Sequence, residues 1–178
     1  VFDLRNNPGG DLRSVSAILS YFLNKNDLIV STVTKNGTES KSYVKAVTYN
    51  GDYAGCSVSE SDIGKYRSLS AAVLINEHSA SAAELFTAVL RDYQLTTTVG
   101  KTTFGKGILQ NIYSLAPYGY SGGVKLTTGY YNPPCGVNYH DVGITPDVVA
   151  EQRPESAGKN PALLSDEEDD QLLAAAEV

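Results

Sequence analysis

Twice in this chain an apolar run breaks at a cluster of turn-forming or small residues and resumes as a helical stripe, a pattern that commits it to an α/β architecture. Residues 1–5 end at Asn6-Asn7-Pro8-Gly9-Gly10, and then Leu12, Val15, Ile18, Leu19, Phe22 and Leu23 recur at helical spacing. That spacing predicts an amphipathic helix over residues 11–24. Residues 71–75 end at Asn76-Glu77-His78-Ser79-Ala80-Ser81, and Ala82, Leu85, Phe86, Val89 and Leu90 mark a second helix as far as Tyr93. β-Branched runs over residues 28–34 and 40–48 flank Asn36-Gly37, a hairpin signal. Further strands are predicted at 96–99, 107–115 and 124–131, with an extended segment at 142–150. Residues 50–68 read as a long surface connection. Ser165-Asp166-Glu167-Glu168 is a capping-box pattern that predicts a helix continuing into Leu172, Leu173 and Ala176.

Composition removes several classes of function. Fourteen Lys and Arg against twenty Asp and Glu give a net charge of −6, so no basic face is available to neutralise phosphates, and no nucleic-acid partner is expected. Hydrophobic residues at 42% suffice for a buried core. No apolar run approaches the roughly 20 residues that span a bilayer. The chain has no Met and opens on an apolar run, so it is expected to be a fragment or a processed form. Cys56 and Cys135 lack zinc-site spacing; they form one disulfide or remain two thiols.

Chemistry concentrates in three places. In Ser79-Ala80-Ser81-Ala82-Ala83, a strand-to-helix junction lined by small residues can expose a serine Oγ beside the unpaired N–H groups of a helix start. Two serines allow Ser79 to serve the turn and Ser81 to act as nucleophile, although a serine at such a junction often does no more than cap the helix. The nucleophile needs a base. His78 is too close in sequence to turn its ring toward Ser81, and nothing specific recommends His140 for a Ser-His-Asp triad. Lys106, in Phe104-Gly105-Lys106-Gly107 at the mouth of an apolar strand, is the candidate, since an apolar setting disfavours the charged form of a lysine. Gln110, beyond a bend, can accept from the amine and aim it. The plain alternative is a surface lysine in a glycine turn. Gly100 through Lys106 also satisfies the spacing of a phosphate loop, but Gly107 stands where that loop needs Ser or Thr, and a strand follows where it needs a helix. Finally, Gly9-Gly10 lets backbone N–H groups approach a ligand, so one of them with the N–H of Ala82 can form an oxyanion hole; an ordinary tight turn is the other reading.

Four segments in order resemble the carboxy-terminal processing, or tail-specific, serine proteases: Asp3-Leu4-Arg5-Asn6-Asn7-Pro8-Gly9-Gly10, residues 76–84 ending Ser-Ala-Ser-Ala-Ala-Glu, residues 100–110 with Thr-Phe-Gly-Lys-Gly-Ile-Leu-Gln, and Gly143-Ile144-Thr145-Pro146-Asp147. The Ser81-to-Lys106 and Lys106-to-Gln110 separations also agree with that family. The resemblance implies a β-rich, spiral-like α/β core related to Clp protease and crotonase. Residues 1–150 would be the C-terminal part of the protease core and 151–178 a linker and terminal helix. It implies Ser81 as nucleophile, Lys106 as general base, Gln110 as its orienter, and Gly10 and Ala82 as oxyanion amides, with Asp92 where an acid often supports the site. No metal or cofactor is implied. Substrates would be proteins or peptides with apolar C-termini, cut outside the cytoplasm. The family's peptide-binding PDZ domain would precede residue 1. Membrane anchoring through a preceding segment, and a homo-oligomer, are left open. The rival expectation is a module on the same fold that binds peptides or apolar ligands without cutting them.

Overall fold

The computed structural model describes residues 1–178. The opening run is a strand only at Phe2–Asp3 (β1), because the chain turns at once: the Asn7 N–H donates to the Leu4 carbonyl. Asp11 then caps α1 (Leu12–Ser20), accepting from the Arg13 N–H at 2.8 Å. Beyond Ser20 the helix tightens into turns, which keep Phe22 and Leu23 buried. The hairpin of β2 (Leu28–Thr34) and β3 (Glu39–Tyr43) turns through Gly37, as its sequence signal predicts. Residues 50–68 are less free than a surface connection. The N–H groups of Gly64 and Tyr66 donate to the Ser20 and Tyr21 carbonyls at the end of α1, and Val58 is buried.

The remaining elements are β4 (Ala71–Ile75), α2 (Ala82–Asp92), β5 (Thr96–Gly100), β6 (Ile108–Ser114), β7 (Gly123–Asn132), β8 (Val148–Val149) and α3 (Asp170–Ala176). They build two sheets. One is parallel, ordered β1-β4-β5-β8, and the other is antiparallel, ordered β3-β2-β7-β6. Parallel neighbours require crossovers, and α2 supplies the one between β4 and β5. Phe2 and Asp3 align with Val73 and Leu74, so the turns leaving β1 and β4 emerge side by side at the carboxyl edge of the sheet. That edge is where open α/β sheets bind ligands.

One face of the parallel sheet presents Val73 and Ile75 to Leu19, Leu85, Phe86 and Leu90 of the helical layer. Its other face presents Ala72, Leu74 and Val99 to Ala175 of α3. α3 begins later than the capping-box letters place it. Asp169, not Ser165, is its cap, accepting from the Leu172 N–H at 3.1 Å. Glu168 instead closes a turn by accepting from the Ser165 N–H and hydroxyl. The start is fixed by a distant partner. Arg5 reaches across the fold to grip Asp169 through both terminal guanidinium nitrogens (2.8 and 2.6 Å) and also bonds Gln171 and Asp3.

Candidate active site

The turn after β4 is tied down from below. The Ser79 hydroxyl, fully buried, donates to the Leu4 carbonyl at 2.7 Å and accepts from the Asn76 N–H at 2.9 Å. The Ala80 N–H donates to the Asn7 carbonyl. Ser79 is therefore consumed in joining this turn to β1, and Ser81 is the serine left over. Ser81 caps α2 with φ +58°, a conformation that L residues rarely adopt. Such strain at a helix start is common at functional sites.

Glu84, on the first turn of α2 and wholly shielded from solvent, organises both sequence-predicted reacting segments. One carboxylate oxygen accepts from the N–H groups of Ser81 and Lys106, each at 2.8 Å. The other accepts from the Gly105 N–H (2.7 Å) and the Thr103 hydroxyl (2.6 Å). The loop carrying Lys106 is clamped on its remaining sides. His140 Nδ1–H donates to the Gly105 carbonyl at 3.1 Å, and Asn138 Nδ2 donates to that of Gly107 at 3.0 Å. The Tyr131 hydroxyl donates to the Lys106 carbonyl at 2.5 Å.

These segments frame a cleft of about 330 Å³ lined by Gly9, Gly10, Ser81, Lys106, Gln110 and Tyr131, among others. Its only charged side chains are Lys106 and Lys125 of β7; no carboxylate lines it. Gly9 packs so tightly under Ser81, with φ +97°, that a Cβ there would stand 2.8 Å from the Ala82 nitrogen. The Gly9 N–H is taken by the Asn7 side chain at 2.9 Å, whereas the N–H groups of Gly10 and Ala82 have no protein partner. Two free donors thus stand on either side of Ser81's turn.

The five residues singled out from the sequence are accordingly neighbours, with differing engagement. No hydrogen bond joins the Ser81 and Lys106 side chains. Gln110 does not bond Lys106 either; its Nε2 lies 3.5 Å from Thr127 Oγ1 across the β6–β7 hairpin. Asp92 stands away from the cleft and accepts from the Cys135 N–H. Neither His78 nor His140 lines it. Both cysteines are free thiols. Sequence reasoning missed Glu84 and Tyr131. The Ser81-x-x-Glu84 spacing was a usable signal for the first, and nothing local marks the second.

The profile of peptidase family S41 matches residues 1–150. A carboxy-terminal-processing protease of Bartonella bacilliformis is 38% identical over 152 residues, covering 85% of this chain and 31% of that protein. A carboxyl-terminal-processing protease of a Synechocystis species is 36% identical over 152 residues, with the same 85% and 31% coverage. Among solved structures, the photosystem II D1 C-terminal processing protease superposes with a TM-score of 0.61 at 27% identity, covering 84% of this chain and 33% of that one. The chain thus spans about a third of the length of the curated relatives it matches.

Proposed function

The chain belongs to peptidase family S41, and from that premise we propose that it carries the reaction centre of a serine endopeptidase that cuts proteins near their C-termini through a Ser-Lys dyad. The Lys106 amine, in its neutral form, removes the Ser81 proton as Oγ attacks a peptide carbonyl. The negative charge that develops on the carbonyl oxygen is received by the free N–H groups of Gly10 and Ala82. Each such donor typically lowers the barrier by about 3 to 4 kcal/mol. The resulting ammonium returns its proton to the leaving amine, and water, activated by the same lysine, releases the acyl group from Ser81. Gln110 holds the lysine amine once it turns from Thr127.

The observation that carries this reading is the shared grip of Glu84 on the Ser81 and Lys106 backbones, which assembles two distant segments around two unpartnered N–H groups. The carboxy-terminal site of cutting is supported by the names of the relatives alone. Apolar substrate tails and an extracytoplasmic location are expectations of the family. The test is hydrolysis of tail-bearing proteins by the protein as its gene encodes it, with fragments read by mass. Ser81→Ala and Lys106→Ala should each reduce turnover by about three orders of magnitude or more with the melting transition kept. Undiminished cutting by either variant contradicts the proposal.

One observation favours the second reading, a peptide-binding module: the Ser81 and Lys106 side chains are not hydrogen-bonded, and Gln110 faces Thr127. Such a module would hold a peptide with equal affinity in wild type and Ser81→Ala and release it uncut.

A further inference from the structure

Two phenols are buried at the cleft, Tyr131 in its lining and Tyr139 against it, and the acyl transfer described above uses neither. Tyr131 is 2% exposed and Tyr139 5%, with the rings edge-on at 6.0 Å. Tyr139's hydroxyl has no hydrogen-bond partner. Tyr131 differs, because β7 is stitched to the Lys106 loop where it sits. Its N–H donates to the Gly107 carbonyl at 3.4 Å, and Asn138 Nδ2 donates to the carbonyls of both Gly107 and Tyr131.

The phenol completes this stitching. Its hydroxyl donates to the Lys106 carbonyl, while Glu84 accepts from the Lys106 N–H. Lys106 therefore has both backbone polar groups held by buried side chains from two different elements. Only its own methylenes remain free to move the amine. A tyrosine hydroxyl has one proton, and here the Lys106 carbonyl takes it.

Resting on the Ser-Lys reading, we propose that Tyr131 is a positioning residue of this centre: its hydroxyl, bonded to the Lys106 carbonyl, fixes the backbone from which the amine reaches toward Ser81. Burial raises the Tyr131 hydroxyl above its ordinary value. Burial drives Tyr139 far higher. Neither phenol ionises near neutrality, so Tyr131 acts as a fixed hydroxyl and not as a second base.

The test is Tyr131→Phe in the protein as its gene encodes it, with Ser81→Ala and Tyr130→Phe as references. Tyr131→Phe should keep its melting transition and hold KM within about twofold while kcat falls about 10- to 100-fold, in the range that a misplacement of the reacting group by about 1 Å costs. Tyr130→Phe, on the neighbouring exposed ring, should match wild type. A purely structural phenol would move stability or KM without that split. If Tyr131→Phe does not fold, Tyr131→Met removes the hydroxyl with a side chain that adapts to the gap. Wild-type kcat in a folded hydroxyl-free variant, with Ser81→Ala inactive, overturns this proposal alone. Ser81→Ala as active as wild type overturns the Ser-Lys reading, and this proposal with it.

Discussion

A carboxylate shut away from water must fill its lone pairs with donors, and Glu84 does so with four: three backbone N–H groups and the Thr103 hydroxyl. Glu84→Gln keeps the shape but turns an amino group toward two of those donors. Urea denaturation should show a loss of about 3 kcal/mol or more, together with loss of hydrolysis; a loss under about 1 kcal/mol would show that the hub is dispensable. The two glycines before α1 should behave oppositely. An alanine at position 9 would put its Cβ 2.7 Å from the Ala80 carbonyl oxygen at a φ of +97°, whereas nothing lies within 4 Å of a Cβ at Gly10. Gly9→Ala should therefore displace the Ser81 turn and lower both melting temperature and activity. Gly10→Ala should melt as wild type does. At this scale Ser81 and Lys106 stood out as candidates because their neighbours are small and close in sequence. The hub role of Glu84 was not, since three of its four donors lie at residues 103–106 and only folding brings them to it.

The same contrast holds for whole elements. β4 forms over the residues its apolar run predicts, and α2 starts where its periodicity starts, because a buried strand and a helix buried from Ala82 to Leu90 write their environment into local sequence. α2 owes its stability to that burial. Leu85→Ala, at a position with no exposure, should cost about 2 to 5 kcal/mol by urea denaturation. Ile112→Ala, 75% exposed on the β6–β7 hairpin, should cost under about 0.5 kcal/mol. Equal losses at the two positions would contradict the layering described here. α3 was misread because its start is set by tertiary contact. A capping-box pattern sits at Ser165, yet the cap is Asp169, whose partner Arg5 stands at the other end of the chain. The strand and turn pattern likewise could not show that residues 50–68 fold back on α1, since the Gly64 and Tyr66 backbone bonds, the Tyr66 ring stacked on Tyr21 and the Arg13 guanidinium over Tyr53 join residues far apart in sequence.

Across the whole molecule, Arg5 and Asp169 tie the first strand to the last helix with both side chains almost fully buried. Burial raises the Asp169 carboxyl, but hydrogen bonds from Arg5, Gln152 and the Leu172 N–H pull it to a net value below the ordinary one. Stability from this group is thus present in full above the unfolded value of about 3.9 and is lost as pH falls through the lower folded value. Asp169→Asn leaves Arg5 short of a partner, so at neutral pH it should be less stable by about 3 kcal/mol. It should also show a shallower loss of stability below about pH 4 than wild type; parallel acid profiles would contradict the tie. The proposed function rests on Lys106 making Ser81 reactive. The most direct measurement is the rate at which a fluorophosphonate labels the protein as its gene encodes it, with the modified residue located by mass spectrometry. The expected result is labelling at Ser81 that disappears in a folded Lys106→Ala variant. Labelling that proceeds at the wild-type rate without that lysine, or that never reaches Ser81 in the folded wild-type protein, would contradict it.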